Sequence, residues 1–218
     1  KAMATVWHLE VRGLAALVPA RGERQFGLER LIGPTPAVAR ALYAGVGADY
    51  HWADRLPWSD EEWAERIADP RVEFWLASEG GTPLGYFELC RNDPETMEVA
   101  YFGLLPHAVG KGHGGQLLEA AVRRGFEAGA ERVYLNTCSF DHPAALKNYQ
   151  ARGFTVIRTE QAQLLGYVYV DVDPQVTRTY NSALAFDAAA NFGRNAAQQV
   201  DVATPRAVRS AAIRSRVR

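Results

Sequence analysis

The chain has 218 residues, 48% of them apolar, with 24 Lys and Arg against 25 Asp and Glu. That is enough for one domain with a full core, and the near-zero balance excludes a strong electrostatic field for nucleic acid or an anionic membrane. Cys90 and Cys138 are the two cysteines, which excludes a disulfide framework; no segment approaches the roughly 18 apolar residues of a membrane span, and residues 14–18 behind Glu10 and Arg12 make a poor signal peptide, so the expected location is the cytoplasm.

Residues 5–11 alternate weakly and predict a first strand, followed by a turn-rich connection over 12–24 and a second strand over 26–32. Gly33-Pro34-Thr35-Pro36 opens a helix, with Thr35 as N-cap and Pro36 at its first position. Val38, Leu42 and Val46 are expected along one side of it. An aromatic loop over 49–58 carries Tyr50, His51, Trp52, Asp54 and Trp58. Ser59-Asp60-Glu61-Glu62 is a capping box, and the short helix behind it ends near Asp69-Pro70.

Residues 72–78 and 84–90 read as a hairpin around Gly80-Gly81, and Asn92-Asp93-Pro94 turns into a further strand over 96–105. A Gly-rich turn then leads into a helix with Leu117, Leu118, Ala121, Val122 and Phe126 at helical spacing, stopped near Gly129. Residues 132–138 form the next strand. Asp141-His142-Pro143 is expected to cap a helix reaching Arg152, with Gly153 ending it, and 154–159 and 164–171 read as the last two strands. Mixed pairing with alternating helices implies an α+β, α/β/α-layered fold: a twisted mixed sheet of about seven strands with helices on both faces. Residues 1–173 are expected to form the domain and 174–218 an Ala/Arg-rich extension. That extension carries Arg178, Arg194, Arg206, Arg209, Arg214, Arg216 and Arg218 against Asp187 and Asp201, with a helix pattern over 182–200. It reads first as a solvated tail and second as an arm that would make a homodimer.

Gly110, Gly112 and Gly114 alternate at the turn, where the first amides of the following helix have no helical partner and the helix dipole adds positive charge. A Walker loop would need Ser or Thr after Lys111, and Gly112 stands there. A dinucleotide fingerprint belongs after the first strand of a βαβ unit, whereas this turn follows about the fifth strand. A structural tight turn satisfies the same glycines.

The surroundings narrow the choice. Leu104-x-Pro106, Gly110-x-Gly112-x-Gly114 and Leu117-Leu118 together resemble motif A of the GCN5-related N-acetyltransferase (GNAT) superfamily. Ala145-Leu146-Lys147-Asn148-Tyr149 followed by Gly153-Phe154 resembles its second motif, and Glu98 stands eleven residues before Val109, the spacing of the strand glutamate that is the general base in some members. The resemblance covers about residues 26–171. It implies an acetyl-coenzyme A dependent N-acetyltransferase that acts on a primary amine, of a small molecule or a protein, by direct attack on the thioester, with no metal.

In that superfamily the pantetheine arm lies along the fourth strand where two parallel strands splay. By resemblance, Leu104 and Leu105 would offer it backbone groups. Backbone from Val109 through Gly110, Lys111, Gly112, His113, Gly114 and Gly115 would take the pyrophosphate, with the Lys111 side chain adding charge or staying solvated. His142 and Asn148 would be further cofactor contacts, His142 equally a simple cap. Val109 replaces the usual Gln or Arg of motif A, and His142 stands where Asn is common.

Glu98 would be the general base. Strand alternation places Glu98 and Ala100 on one face, with Phe102 and Leu104 following. The plain alternative is a surface glutamate at a strand start. Glu88 is the second candidate; aligned strands would let the two carboxylates share a pocket and raise one pKa. Tyr149 would be the general acid, or else a core aromatic. An acyl-Cys138 route is disfavoured because no activating His or Lys is near in sequence. Tyr50, His51, Trp52 and Trp58 would stack on the acceptor and Asp54 attract its amine, or the aromatics simply seal the helices onto the sheet. A non-catalytic acyl-coenzyme A sensor is the competing function, and a longer acyl group a variant of the first.

Overall fold

The computed structural model describes residues 2–165 and 168–170. The expected boundary at 173, the 182–200 helix and the end of the last strand at 171 lie outside the described residues. The elements are β1 (Ala2–Arg12), β2 (Gly27–Leu31), α1 (Pro36–Gly47), α2 (Asp60–Ala68), β3 (Val72–Glu79), β4 (Thr82–Arg91), β5 (Thr96–Leu104), α3 (His113–Glu127), β6 (Arg132–Cys138), α4 (Ala145–Ala151), β7 (Thr155–Leu165) and β8 (Val168–Val170). They form one eight-stranded mixed sheet in the order β2-β3-β4-β5-β6-β1-β7-β8. Among the described residues no helix is long and apolar enough to cross a membrane.

Local signals set most of the helix ends. The Thr35 hydroxyl accepts from the Val38 amide. Ser59 and Glu62 close the reciprocal capping box, the Glu62 carboxylate accepting from the Ser59 amide at 2.8 Å. Gly129, at φ 88°, turns the chain out of α3 while the Ala130 amide reaches back to the Gly125 carbonyl, a Schellman closure. Leu117, Leu118, Ala121 and Val122 of α3 pack on one sheet face with Leu9, Phe87, Leu89, Val99 and Val133. On the other face α1 and α2 bring Leu42, Tyr43, Val46 and Trp63 against Phe74, Tyr86 and Tyr101.

Four expectations need correction. The buried side of α1 is Ala39, Leu42, Tyr43 and Val46, while Val38 is exposed; the Tyr43 ring packs against Trp52, Trp63 and Tyr101, which sets the face that α1 turns to the sheet. α4 starts at Ala145, with Ala144 at its N-cap. Asp141 does not cap it but accepts from the Thr137 hydroxyl (2.6 Å) and the Cys138 amide (2.9 Å), closing the end of β6. β7 runs through residues 160–163, which separate the two expected last strands, because β1 pairs with it from Thr155 to Leu164. Finally, Ala100 is an extra residue in β5: Tyr101 faces Glu88 and Val99 faces Leu89. This bulge reverses the alternation. Phe102 and Leu104 join Met97 and Val99 on the α3 face, and Tyr101 moves to the α1 face, the side on which Glu98 lies between Cys90 and Tyr134.

Gly153 shows how tightly the connection after β1 is held. Its φ is 97°, and a Cβ there would stand 2.1 Å from the Ala16 carbonyl oxygen. Gly153→Ala is expected to lose at least about 2 kcal/mol, read as a lower denaturant midpoint at unchanged m-value.

Candidate active site

β5 and β6 run parallel but pair at three positions only: Thr96 with Arg132, Met97 with Val133 and Glu98 with Tyr134. Beyond Glu98 they diverge, β5 staying with β4 and β6 with β1. The V-shaped gap is a cavity of about 490 Å³ with Val99 to Leu104 on one side, Leu135 and Asn136 on the other, and the Gly-rich turn and α4 at its mouth. The Leu105 amide donates to the Leu84 carbonyl on the β4 side, at 2.8 Å. Alternation therefore turns the backbone groups of Leu104 and Phe102 toward the gap. Leu104 is placed as expected; Leu105 is not, since its amide is taken and its side chain is buried against the α1 face.

The turn is built for close approach. Gly110 and Gly112 have φ of 80° and 84°, and a Cβ on either would meet nothing within 4 Å. Gly112 is the N-cap of α3 with no side-chain cap. Among the described residues, the amides of Gly110, Lys111 and Gly112 donate to no backbone carbonyl, and those of His113 to Gly115 begin the helix and have no intrahelical acceptor. The Val109 amide is different, since it donates to the Pro106 carbonyl at 3.3 Å. Gly110, Gly112, Gly114, Gly115, Val109 and Asn148 line the cavity; Lys111 is exposed outside its wall, and the His113 ring is buried edge-on to Phe26. His142 lines the wall while its Nδ1 accepts from the Ala144 amide at 3.0 Å.

Tyr149 reaches the cavity from the α3 face, with its ring edge-on to Phe102 and Phe154. Burial first, then the charges of Asp141 and Cys138, push its phenol well above the usual tyrosine range, so it stays protonated. On the opposite face Tyr50 and Trp52 line the wall, Trp52 edge-on to Tyr101 at 4.9 Å. His51, at φ 58°, turns its ring to Phe140, and Trp58 is buried against Trp63. Asp54 accepts from the Tyr43 and Tyr101 hydroxyls, each at 2.6 Å, and so fixes Tyr101.

The two candidate bases have different surroundings. Glu88 is fully buried and held by Arg55 (2.6 and 3.0 Å) and Arg66 (2.7 Å). Burial opposes its charge, but the two guanidiniums outweigh burial and hold the carboxyl below the usual range. The expected raised pKa of a shared carboxylate pocket is therefore not found at Glu88. Glu98 forms the last β5–β6 pair, with Tyr134, before the strands part. It is 6% exposed, accepts from the Asn92 side chain at 3.0 Å, and is not among the residues that line the cavity, which begin on β5 at Val99.

Sequence reasoning missed Asn136, Asp141 and Lys147, which line the cavity, and Arg152, whose guanidinium lies 3.4 Å from where a Gly115 Cβ would stand. Asp141 stands next to His142, so the second motif pointed to its neighbourhood. Asn136 and Arg152 carry no local pattern.

A profile of the acetyltransferase (GNAT) family matches residues 40–154, which spans both sides of this gap and the Gly-rich turn. The chain belongs to the GNAT family. Its fold is similar to a GCN5-related N-acetyltransferase from Sphaerobacter thermophilus (14% identity, 73% of this chain and 50% of that one, TM-score 0.56). It is similar also to one from Kribbella flavida (16%, 71% and 55%, TM-score 0.50), and to an aminoglycoside acetyltransferase from an uncultured soil metagenomic sample (15%, 60% and 88%, TM-score 0.50). At these identities the likeness is one of fold. The chain spans about half the length of the first two structures. No curated protein matches it.

GNAT enzymes transfer acyl groups, typically from acetyl-coenzyme A, and the residues here fit that group. The open space above Gly110 and Gly112, together with the amides behind it, would hold a pyrophosphate. The outward edge of Phe102 and Leu104 would pair with an amide-containing arm. Lys147 and Asn148 line the cavity and would offer polar groups to such a ligand.

Proposed function

We propose that this GNAT domain transfers an acetyl group from acetyl-coenzyme A to a primary amine. The single observation that carries the reading is the gap itself, open to the α3 face at Tyr149 and to the α1 face at Tyr50, Trp52 and Tyr101. Acetyl-coenzyme A supplies a thioester carbonyl and a thiolate leaving group. Tyr149 holds a proton on the α3 side and donates it to the departing sulfur. Glu98, at the apex on the α1 side, takes the amine proton through the polar groups beside it. Tyr50 and Trp52 orient the acceptor and keep bulk water from it. Glu88 is left out of this scheme because its charge already neutralises two buried arginines.

The test is thiol release by the full chain with acetyl-coenzyme A across a panel of amines, alongside calorimetric binding. Release with at least one amine is expected, and Glu98→Gln is expected to lower turnover about 10²-fold with unchanged cofactor affinity. Wild-type rates in that variant would remove Glu98 from the scheme. The second reading, an acyl-coenzyme A sensor, is favoured by the Val109 amide and His142 Nδ1 being engaged within the chain. Binding with no thiol release for any amine would select it.

A further inference from the structure

The aromatic loop on the α1 side of the gap is held by the chain's own contacts. The Tyr50 and Trp52 amides both donate to the Gly47 carbonyl, at 3.0 and 3.3 Å. Trp52 lies so close over Gly47 that a Cβ there would stand 2.3 Å from the Trp52 Cβ and 2.6 Å from its Cγ. The Trp52 ring is edge-on to Tyr101 at 4.9 Å and tilted against Tyr43 at 5.6 Å. The loop also reaches the connection between β6 and α4. There the Tyr50 ring meets His142 at 5.9 Å and the His51 ring meets Phe140 at 5.4 Å, both edge-on. Val46, Tyr50, Trp52, Ala100 and Tyr101 therefore make a pre-formed, mainly apolar wall.

The charges behind this wall are already matched. Asp54 accepts from the Tyr43 and Tyr101 hydroxyls, so the polar ends of both rings are engaged. Glu88 neutralises Arg55 and Arg66. Arg55 itself lies over the Tyr101 ring at 4.2 Å and the Trp58 ring at 4.7 Å, so one face of each ring already holds a cation. Among the described residues that line the gap, Asp141 is the one carboxylate, and Lys147 lines it too. The Asp141 charge acts on both Tyr50 and Tyr149, which places it between the acceptor wall and the thiol side.

Desolvation then decides what the wall accepts. One ammonium group entering the gap has one carboxylate to meet. A second would lose its water against Tyr50, Trp52 and Tyr101 with no further counter-ion, and Lys147 would repel it. Apolar carbon gains by covering the same rings. We propose that the acceptor is a monoamine on an uncharged apolar or aromatic body, selected by Tyr50 and Trp52 against diamines and polyamines. The inference rests on the acyl-transfer reading above and names the substrate class for the same site. Asp141 is the counter-ion on entry, and the carbon body lies along the aromatic wall. The transfer is the one already described: the new C–N bond forms as the C–S bond breaks, Glu98 takes the amine proton and Tyr149 protonates the sulfur.

The test is thiol release by the full chain at saturating acetyl-coenzyme A with phenethylamine, hexylamine and hexamethylenediamine. The last two differ only in a second ammonium group. Both monoamines are expected to exceed the diamine in kcat/KM by at least about tenfold. Trp52→Ala and Tyr50→Leu are each expected to raise KM for phenethylamine about tenfold. KM for acetyl-coenzyme A should stay unchanged in both, which also reports a folded variant. The wild-type ranking stands as a test even where a variant fails to fold. A diamine that matches or exceeds hexylamine overturns the acceptor class and leaves the transferase intact. Release with other amines but with neither monoamine does the same, as does a wild-type KM for phenethylamine in both variants. A chain that binds acetyl-coenzyme A and releases no thiol with any amine overturns the transferase reading, and this inference with it.

Discussion

Glu88→Gln is expected to destabilise the fold by about 3–5 kcal/mol. Glutamine keeps the shape and removes the charge, which leaves Arg55 and Arg66 as buried cations without their shared counter-ion. Both side chains are largely out of water, at 6% and 17% exposure. Arg55 is also clamped over Tyr101 at 4.2 Å and Trp58 at 4.7 Å, so it has no route to solvent. Burial works against its charge, but Glu88 outweighs burial and holds the guanidinium protonated. The same geometry has a pH signature. The Glu88 carboxyl is depressed in the fold, so its contribution is complete above its ordinary value of 4.5 and is lost as pH falls through the lower folded value. Urea unfolding at pH 7 should show the full difference between wild type and Glu88→Gln, and the gap should narrow below pH 4.5. A loss under about 1 kcal/mol would mean that the arginines find water instead.

Tyr149→Phe is expected to lower turnover about 10²-fold while leaving acetyl-coenzyme A affinity unchanged. The substitution removes one oxygen from a ring already packed between Phe102 and Phe154, so the wall of the cavity keeps its shape. What disappears is a phenol whose proton is retained by burial and by Asp141 and Cys138. Because its titration lies above the ordinary 10.0, Tyr149 should contribute no alkaline limb below pH 10 in the wild type. Single-turnover kinetics separate the chemical step from product release. An unchanged chemical rate in Tyr149→Phe would leave the sulfur protonated by water and the tyrosine as a packing residue.

The two predictions rest on different levels of information. Tyr149 was visible from its spacing to Gly153, since both lie within one helix and its cap. The paired state of Glu88 was not, because Arg55 is 33 residues away in the aromatic loop and Arg66 is 22 away on α2. Sequence alternation alone made Glu88 a candidate base; the fold surrounds it with two cations. The bulge at Ala100 had a similar effect, since one extra residue moved Phe102 and Leu104 to the face opposite the one expected. His8 gave no signal at all: its partners Tyr134 and Glu160 are 126 and 152 residues away.

Sequence by itself determined what depends on neighbours in the chain: the Thr35 and Ser59 caps, the Gly80-Gly81 hairpin, the apolar stripe of α3, and a glycine turn that exposes amides at a helix start. These are decided within a few residues by backbone sterics and hydrogen-bond geometry. Tertiary structure alone decided where β5 and β6 part, which carboxylate is neutralised by two arginines, and the Tyr134–His8–Glu160 contacts. Each depends on the register of strands far apart in the chain, and a shift of one residue in that register turns a side chain to the other face of the sheet.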